Sequence, residues 1–190
     1  MTPTEYITTF ELEHPGYSSY PINYQHYIPL NKSRFLRCVK QGVITQELTE
    51  VIRAINEKQD WVIITEPWCG DAAQIVPYLF KMAALNPLIN VVVQLRDSHS
   101  EIDSYLSNGK MSIPKLIVRN QKGTDLFVWG PRPQELENIY LELKNKNENL
   151  DDMKTILQKW YNDDKGKEIQ EEIMGLINAR CFPPPRRKGD

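Results

Sequence analysis

The chain has 190 residues, with 23 Lys and Arg against 25 Asp and Glu and a formal net charge of −2. That length suits one domain with an extension, and the near-neutral balance excludes nucleic acid as the main partner. Three widely spaced cysteines, Cys38, Cys69 and Cys181, exclude a disulfide scaffold. With no signal peptide or long apolar run, a cytoplasmic, reducing location without a membrane partner is expected.

Residues 1–30 are rich in Tyr, Pro, Ser and Asn and weak in periodicity, which predicts an extended arm. Its aromatics, Tyr17, Tyr20, Tyr24 and Tyr27, predict that the arm lies across the domain. Residues 31–146 form the predicted core. Cys38, beside Phe35, Leu36 and Val39 in a helical pattern, reads as a buried structural thiol. Ile44, Leu48, Val51, Ile52 and Ile55 keep helical spacing before a strand over Trp61 to Thr65. A helix follows from Asp71 to Leu85, with Ile75, Val76, Leu79, Phe80 and Ala83 on one face, ended by Asn86-Pro87. The strand Ile89 to Leu95 carries a nearly unbroken apolar run, which predicts burial on both faces at the centre of a sheet. Ser98 or Ser100 suits the cap of a helix through Leu106, stopped by Asn108-Gly109. Pro114 to Val118 and Leu126 to Trp129 read as a hairpin around residues 120–123, and a helix from Pro133 to Lys144 closes the unit. Beyond it, in a predicted extension over 147–180, Leu150, Met153, Leu157, Trp160 and Tyr161 make one apolar stripe, and Ile169, Ile173, Leu176 and Ile177 another. The pair predicts a helical hairpin, packed within the chain in a monomer or, as the weaker option, against a second copy in a homodimer. Residues 181–190, with Arg186-Arg187-Lys188, read as a Pro-rich basic tail. The whole order predicts an α/β fold with a mixed sheet flanked by helices.

The chemistry concentrates at Trp68-Cys69-Gly70-Asp71, where the first strand runs into a helix. A thiol at a helix N-terminus feels unpaired backbone N–H groups and the positive end of the macrodipole, both favouring thiolate. A dithiol site would carry its resolving cysteine three residues on, and Ala72 stands there instead. Any exchange at this motif is monothiol.

Trp68-Cys69-Gly70 at the first strand-to-helix junction resembles the thioredoxin superfamily. Further matches are Pro77, eight residues past Cys69; Ile113-Pro114, which fits the family's cis-proline; and Gly130 after the last strand. A closer resemblance is to bacterial thioredoxin-like proteins with a single-cysteine WCGD motif, carried by Trp68 to Asp71, Ile113 to Lys115 and Trp129 to Pro133. The resemblance implies a thioredoxin-like fold with Cys69 as the catalytic thiol. Trp68, Gly70, Asp71, Ile113 and Pro114 would then form the substrate-binding surface. The superfamily's buried aspartate six residues before the cysteine is replaced by Ile63, so its proton shuttle is missing.

Cys69 can then attack a mixed disulfide on a protein or a small thiol, with an external thiol resolving the adduct. No bound cofactor is required beyond a low-molecular-weight thiol as co-substrate. Gly70 lets a substrate backbone approach, and the loop before Pro114 offers edge hydrogen bonds to an extended peptide. Asp71 stabilises the first helical turn but opposes thiolate at Cys69, so a thiol less acidic than a strong oxidant's is expected. Each residue also has a plainer reading. Cys69 can be a small packing residue, Trp68 a cover for the sheet end, Trp129 a core residue and Arg132 a salt-bridge partner on a rigid turn. His14, His26 and His99 lack metal spacing, and no metal site is expected. Cys38 and Cys181 stay open as resolving thiols, and a non-catalytic interaction module of the same fold is the alternative function.

Overall fold

A computed structural model describes residues 1–11 and 13–182. The expected basic tail lies almost wholly outside the described residues. In chain order the helices are α1 (Pro3–Thr8), α2 (Ile22–Gln25), α3 (Ile28–Gln41), α4 (Gln46–Arg53) and α5 (Gly70–Ala83). After the sheet come α6 (Gln134–Asn145), α7 (Leu150–Asp164) and α8 (Lys167–Cys181). The strands are β1 (Gln59–Thr65), β2 (Ile89–Leu95), β3 (Lys115–Asn120) and β4 (Asp125–Trp129).

The four strands form one sheet in the order β2-β1-β3-β4. β1 runs parallel to β2 and antiparallel to β3, and β3 forms a hairpin with β4 whose register shifts at Val118/Arg119. Every residue of β1 except Asp60 is buried, so this strand, and not β2, is the one covered on both faces. The expectation of a central β2 is therefore corrected: β2 is an edge strand with only Ile89 and Val93 buried. Its apolar run was a poor guide because α1 and the chain start cover an edge from outside the sheet. Met1 and Val93 exchange two backbone hydrogen bonds, each 2.8 Å.

Residues 1–30 also depart from the extended arm. Thr2 and Glu5 form a reciprocal capping box with Pro3 in the first turn, which nucleates α1 and carries Tyr6 into the core. Tyr6 packs edge-on against Phe10, Phe35 and Phe80. α3 begins at Ile28, inside the segment read as arm, and its buried face, Ile28, Asn31, Phe35 and Cys38, packs on α5. The helix expected through Leu106 is one 3-10 turn, Ile102–Ser104, because Arg119 draws Glu101 and Tyr105 toward the hairpin instead.

The predicted C-terminal hairpin forms within the chain. α8 packs on α4 and β4 through Ile169, Ile173 and Ile177, while α7 packs on α6. The turn between them uses two left-handed residues, Lys165 (φ 55°) and Gly166 (φ 80°). A Cβ on Gly166 would collide with the Tyr78 ring, whose hydroxyl donates to Lys165 O at 2.6 Å. Glu172 of α8 accepts from both Trp129 Nε1 and the Gln134 backbone N–H, each at 2.6 Å. α6 has no side-chain cap of its own, so α8 supplies one.

Candidate functional site

The C-terminal end of β1 delivers Glu66-Pro67-Trp68 to the start of α5, and Cys69 is the N-cap residue of that helix. Its extended backbone (φ −79°, ψ 119°) leaves Sγ accepting from the Ala72 N–H at 3.5 Å, as a polar N-cap side chain does. The thiol donates to Ile113 O at 3.5 Å. The Ile113–Pro114 bond is cis, as is Gly130–Pro131. Cys69, Ile113 and Pro114 are thus brought together from positions 44 residues apart.

The thiol is buried, with 8% of its surface exposed. Burial, then the charge of Asp71, pushes its pKa up to about 12, against the pull of the Ala72 N–H and Arg132. The site thus holds a neutral thiol at rest. Asp71 is fastened by Arg132 at 2.8 Å and by the Tyr161 hydroxyl, which donates at 2.8 Å. Arg132 also pairs with Glu137 at 2.7 Å and lies over the Tyr140 ring at 4.2 Å. Burial disfavours its charge, but Asp71 above all holds it well protonated. Arg132 is therefore the salt-bridge partner that its turn suggested.

Trp68 is pressed by Tyr24, stacked at 4.3 Å between ring centroids, and by the Arg96 guanidinium at 4.6 Å. Gly70 stands in more space than a close-approach role needs, since a Cβ there would meet only Arg34 Nη1 at 3.6 Å. Glu66, three residues before the cysteine, is fully buried. One carboxylate oxygen accepts from the Asp97 N–H at 2.9 Å and the other has no partner. Burial pushes its pKa up to about 6. Ile63, where the superfamily's aspartate would stand, is fully buried in β1.

Two hollows meet at the motif. A groove of about 520 Å³ runs between Trp68, Arg96 and residues 109–113, and a cavity of about 400 Å³ lies beneath α7, walled by Tyr24, Tyr27, Arg34, Tyr140 and Tyr161. Cys69 and Asp71 line both.

The other thiols are elsewhere. Cys38 is buried and donates to Gln74 Oε1 at 3.3 Å; Cys181 accepts from Gln59 Nε2 at 3.3 Å, at the opposite end of β1. Six strand steps separate Gln59 from Thr65, roughly 20 Å, so Cys181 is out of reach of Cys69. Among the described residues no His, Cys, Asp and Glu cluster is arranged to hold a metal, and no helix is long and apolar enough to cross a membrane.

Sequence reasoning missed Arg34 and Glu66 and gave Tyr161 only an apolar role. Arg34 and Tyr161 reach the site from other elements, and nothing in their local spacing signals it.

The family of thioredoxins, compared through its sequence model, matches residues 18–154. The chain belongs to the thioredoxin family. This thioredoxin-family chain is also similar to two solved structures. One is a protein of unknown function from Pseudomonas aeruginosa, 17% identical, with a TM-score of 0.57 over 94% of this chain and 98% of the other. The second is an HIV epitope scaffold, 16% identical, with a TM-score of 0.55 over 94% and 99%. Both likenesses concern the fold alone. No curated protein matches the chain.

Proposed function

We propose that Cys69 is a monothiol for thiol–disulfide exchange, resolved by an external thiol and kept protonated at rest. The observation that carries this reading is the placement of Sγ: it caps α5 at the Ala72 N–H and faces Ile113 O beside cis-Pro114. A groove leads to it past residues 109–113. An extended peptide lying there finds loop backbone for hydrogen bonds, which suits a protein disulfide as well as a small one. In the reaction, Cys69–SH and RS–SR′ give Cys69–S–SR and R′SH, the leaving thiolate taking the proton. A second thiol R″SH then yields RS–SR″ and regenerates Cys69–SH. Ala72, the remoteness of Cys181 and the engagement of buried Cys38 with Gln74 support resolution from outside the chain.

Burial of the thiol favours a second reading, a thioredoxin-fold binding module that does no redox chemistry. Alkylation by iodoacetamide across pH 6–11, in a Cys38→Ser/Cys181→Ser background, separates the two. Exchange predicts that a small disulfide such as hydroxyethyl disulfide forms a Cys69 adduct, seen by mass, which free thiol reverses, and that Cys69→Ser abolishes it. Absence of adduct, with labelling slow throughout, would overturn exchange and leave the module.

A further inference from the structure

The cavity of about 400 Å³ beneath α7 has walls that are mostly apolar and aromatic, and apart from Asp71 the charged side chains lining it are the cations Arg34, Arg132 and Lys154. Arg34 has no carboxylate within salt-bridge distance among the described residues; its Nη1 donates only to Asn31 Oδ1 at 3.2 Å. That guanidinium stands beside Gly70, the first residue of α5, whose N–H has no acceptor within the helix. The one acid at the cavity floor, Asp71, is already engaged by Arg132 and Tyr161.

Three cations against one acid that is already paired, around an apolar hollow, select an anion carried on an apolar body. We propose that this cavity binds an amphipathic organic anion, its carboxylate between Arg34 and the start of α5 and its apolar part along Tyr27, Tyr140 and Leu157. The helix terminus and the unneutralised guanidinium both favour negative charge at that spot. At the packing density of protein–ligand contacts, the volume suits an aliphatic or aromatic body of about ten carbons. The proposal is independent of exchange at Cys69 and holds for either reading of that thiol.

The test is calorimetric titration of the full chain with sodium decanoate, 1-decanol and decylammonium. Decanoate is expected to bind one to one. Decanol should bind about tenfold or more weakly, and decylammonium not at all. Arg34→Gln should weaken decanoate by about the same factor while leaving decanol unchanged, and Arg34→Lys should recover part of the loss. Leu157→Trp, which fills the cavity with Arg34 intact, should remove binding, with circular dichroism reporting that it folds. Failure of decanoate to bind at millimolar concentration, equal binding by decylammonium, or binding undiminished in Leu157→Trp would each overturn the proposal. Should Arg34→Gln unfold, the anion preference of the unaltered chain and the Leu157→Trp result decide it.

Discussion

Glu66 is a carboxyl group the fold keeps from water while giving it one hydrogen bond. Its folded pKa of about 6 lies above the ordinary 4.5, so the folded chain holds this proton longer than the unfolded one. The stability it contributes is full below pH 4.5 and is lost as pH rises through about 6. Glu66→Gln is therefore expected to raise stability at pH 8 by about 1–2 kcal/mol and to change little at pH 4. Urea midpoints at the two pH values check this, and an equal shift at both would refute it. The neighbouring thiol responds to a different charge. Asp71→Asn removes the second-largest cause of the raised Cys69 pKa and leaves burial in place. Iodoacetamide labelling at pH 8 should accelerate by about three- to tenfold, well short of an exposed thiolate. The position of Cys69 at the head of a helix was legible in Trp61 to Ala72. Its raised pKa was legible only in part: Asp71 stands in the sequence, but burial, the larger cause, arises from Ile113 and the segments laid over it.

At the level of elements, local signals served where an element answers to its own residues. The Asn120–Thr124 turn, helix α5 running through Pro77 and the α7–α8 hairpin all form where periodicity and turn residues placed them. They failed where coverage comes from afar, as with β2, whose edge is closed by Met1, and with the 102–104 turn, ruled by Arg119. The α7–α8 turn gives a sharp test of its own. Gly166→Ala must hold a positive φ and drive a methyl group into the Tyr78 ring, so a loss of about 2–4 kcal/mol is expected. Tyr78→Phe removes only the bond to Lys165 O and should cost about 1 kcal/mol. Thermal or urea unfolding of both variants distinguishes a packed turn from one merely tethered.

For the whole molecule, the thioredoxin-like unit carries coverings on the site side that the minimal fold lacks. Tyr24 from the N-terminal segment lies on Trp68, and Tyr161 from α7 holds Asp71. Of α7 only Met153 is buried, so it is among the weaker attachments. Its amides are expected to exchange hydrogen sooner than those of β1. Tyr161→Phe should speed Cys69 labelling severalfold if α7 governs access, whereas an unchanged rate would assign access to the groove past residues 109–113 alone. The sheet's borders bear on partners too. Met1 occupies the bonding groups of Val93 on one border, and β4, five residues long with α8 against it, forms the other. Met1 interrupts the first border at its middle and the second is short, which shortens the free template for fibril-like stacking or for a guest chain enlisting as a fifth strand.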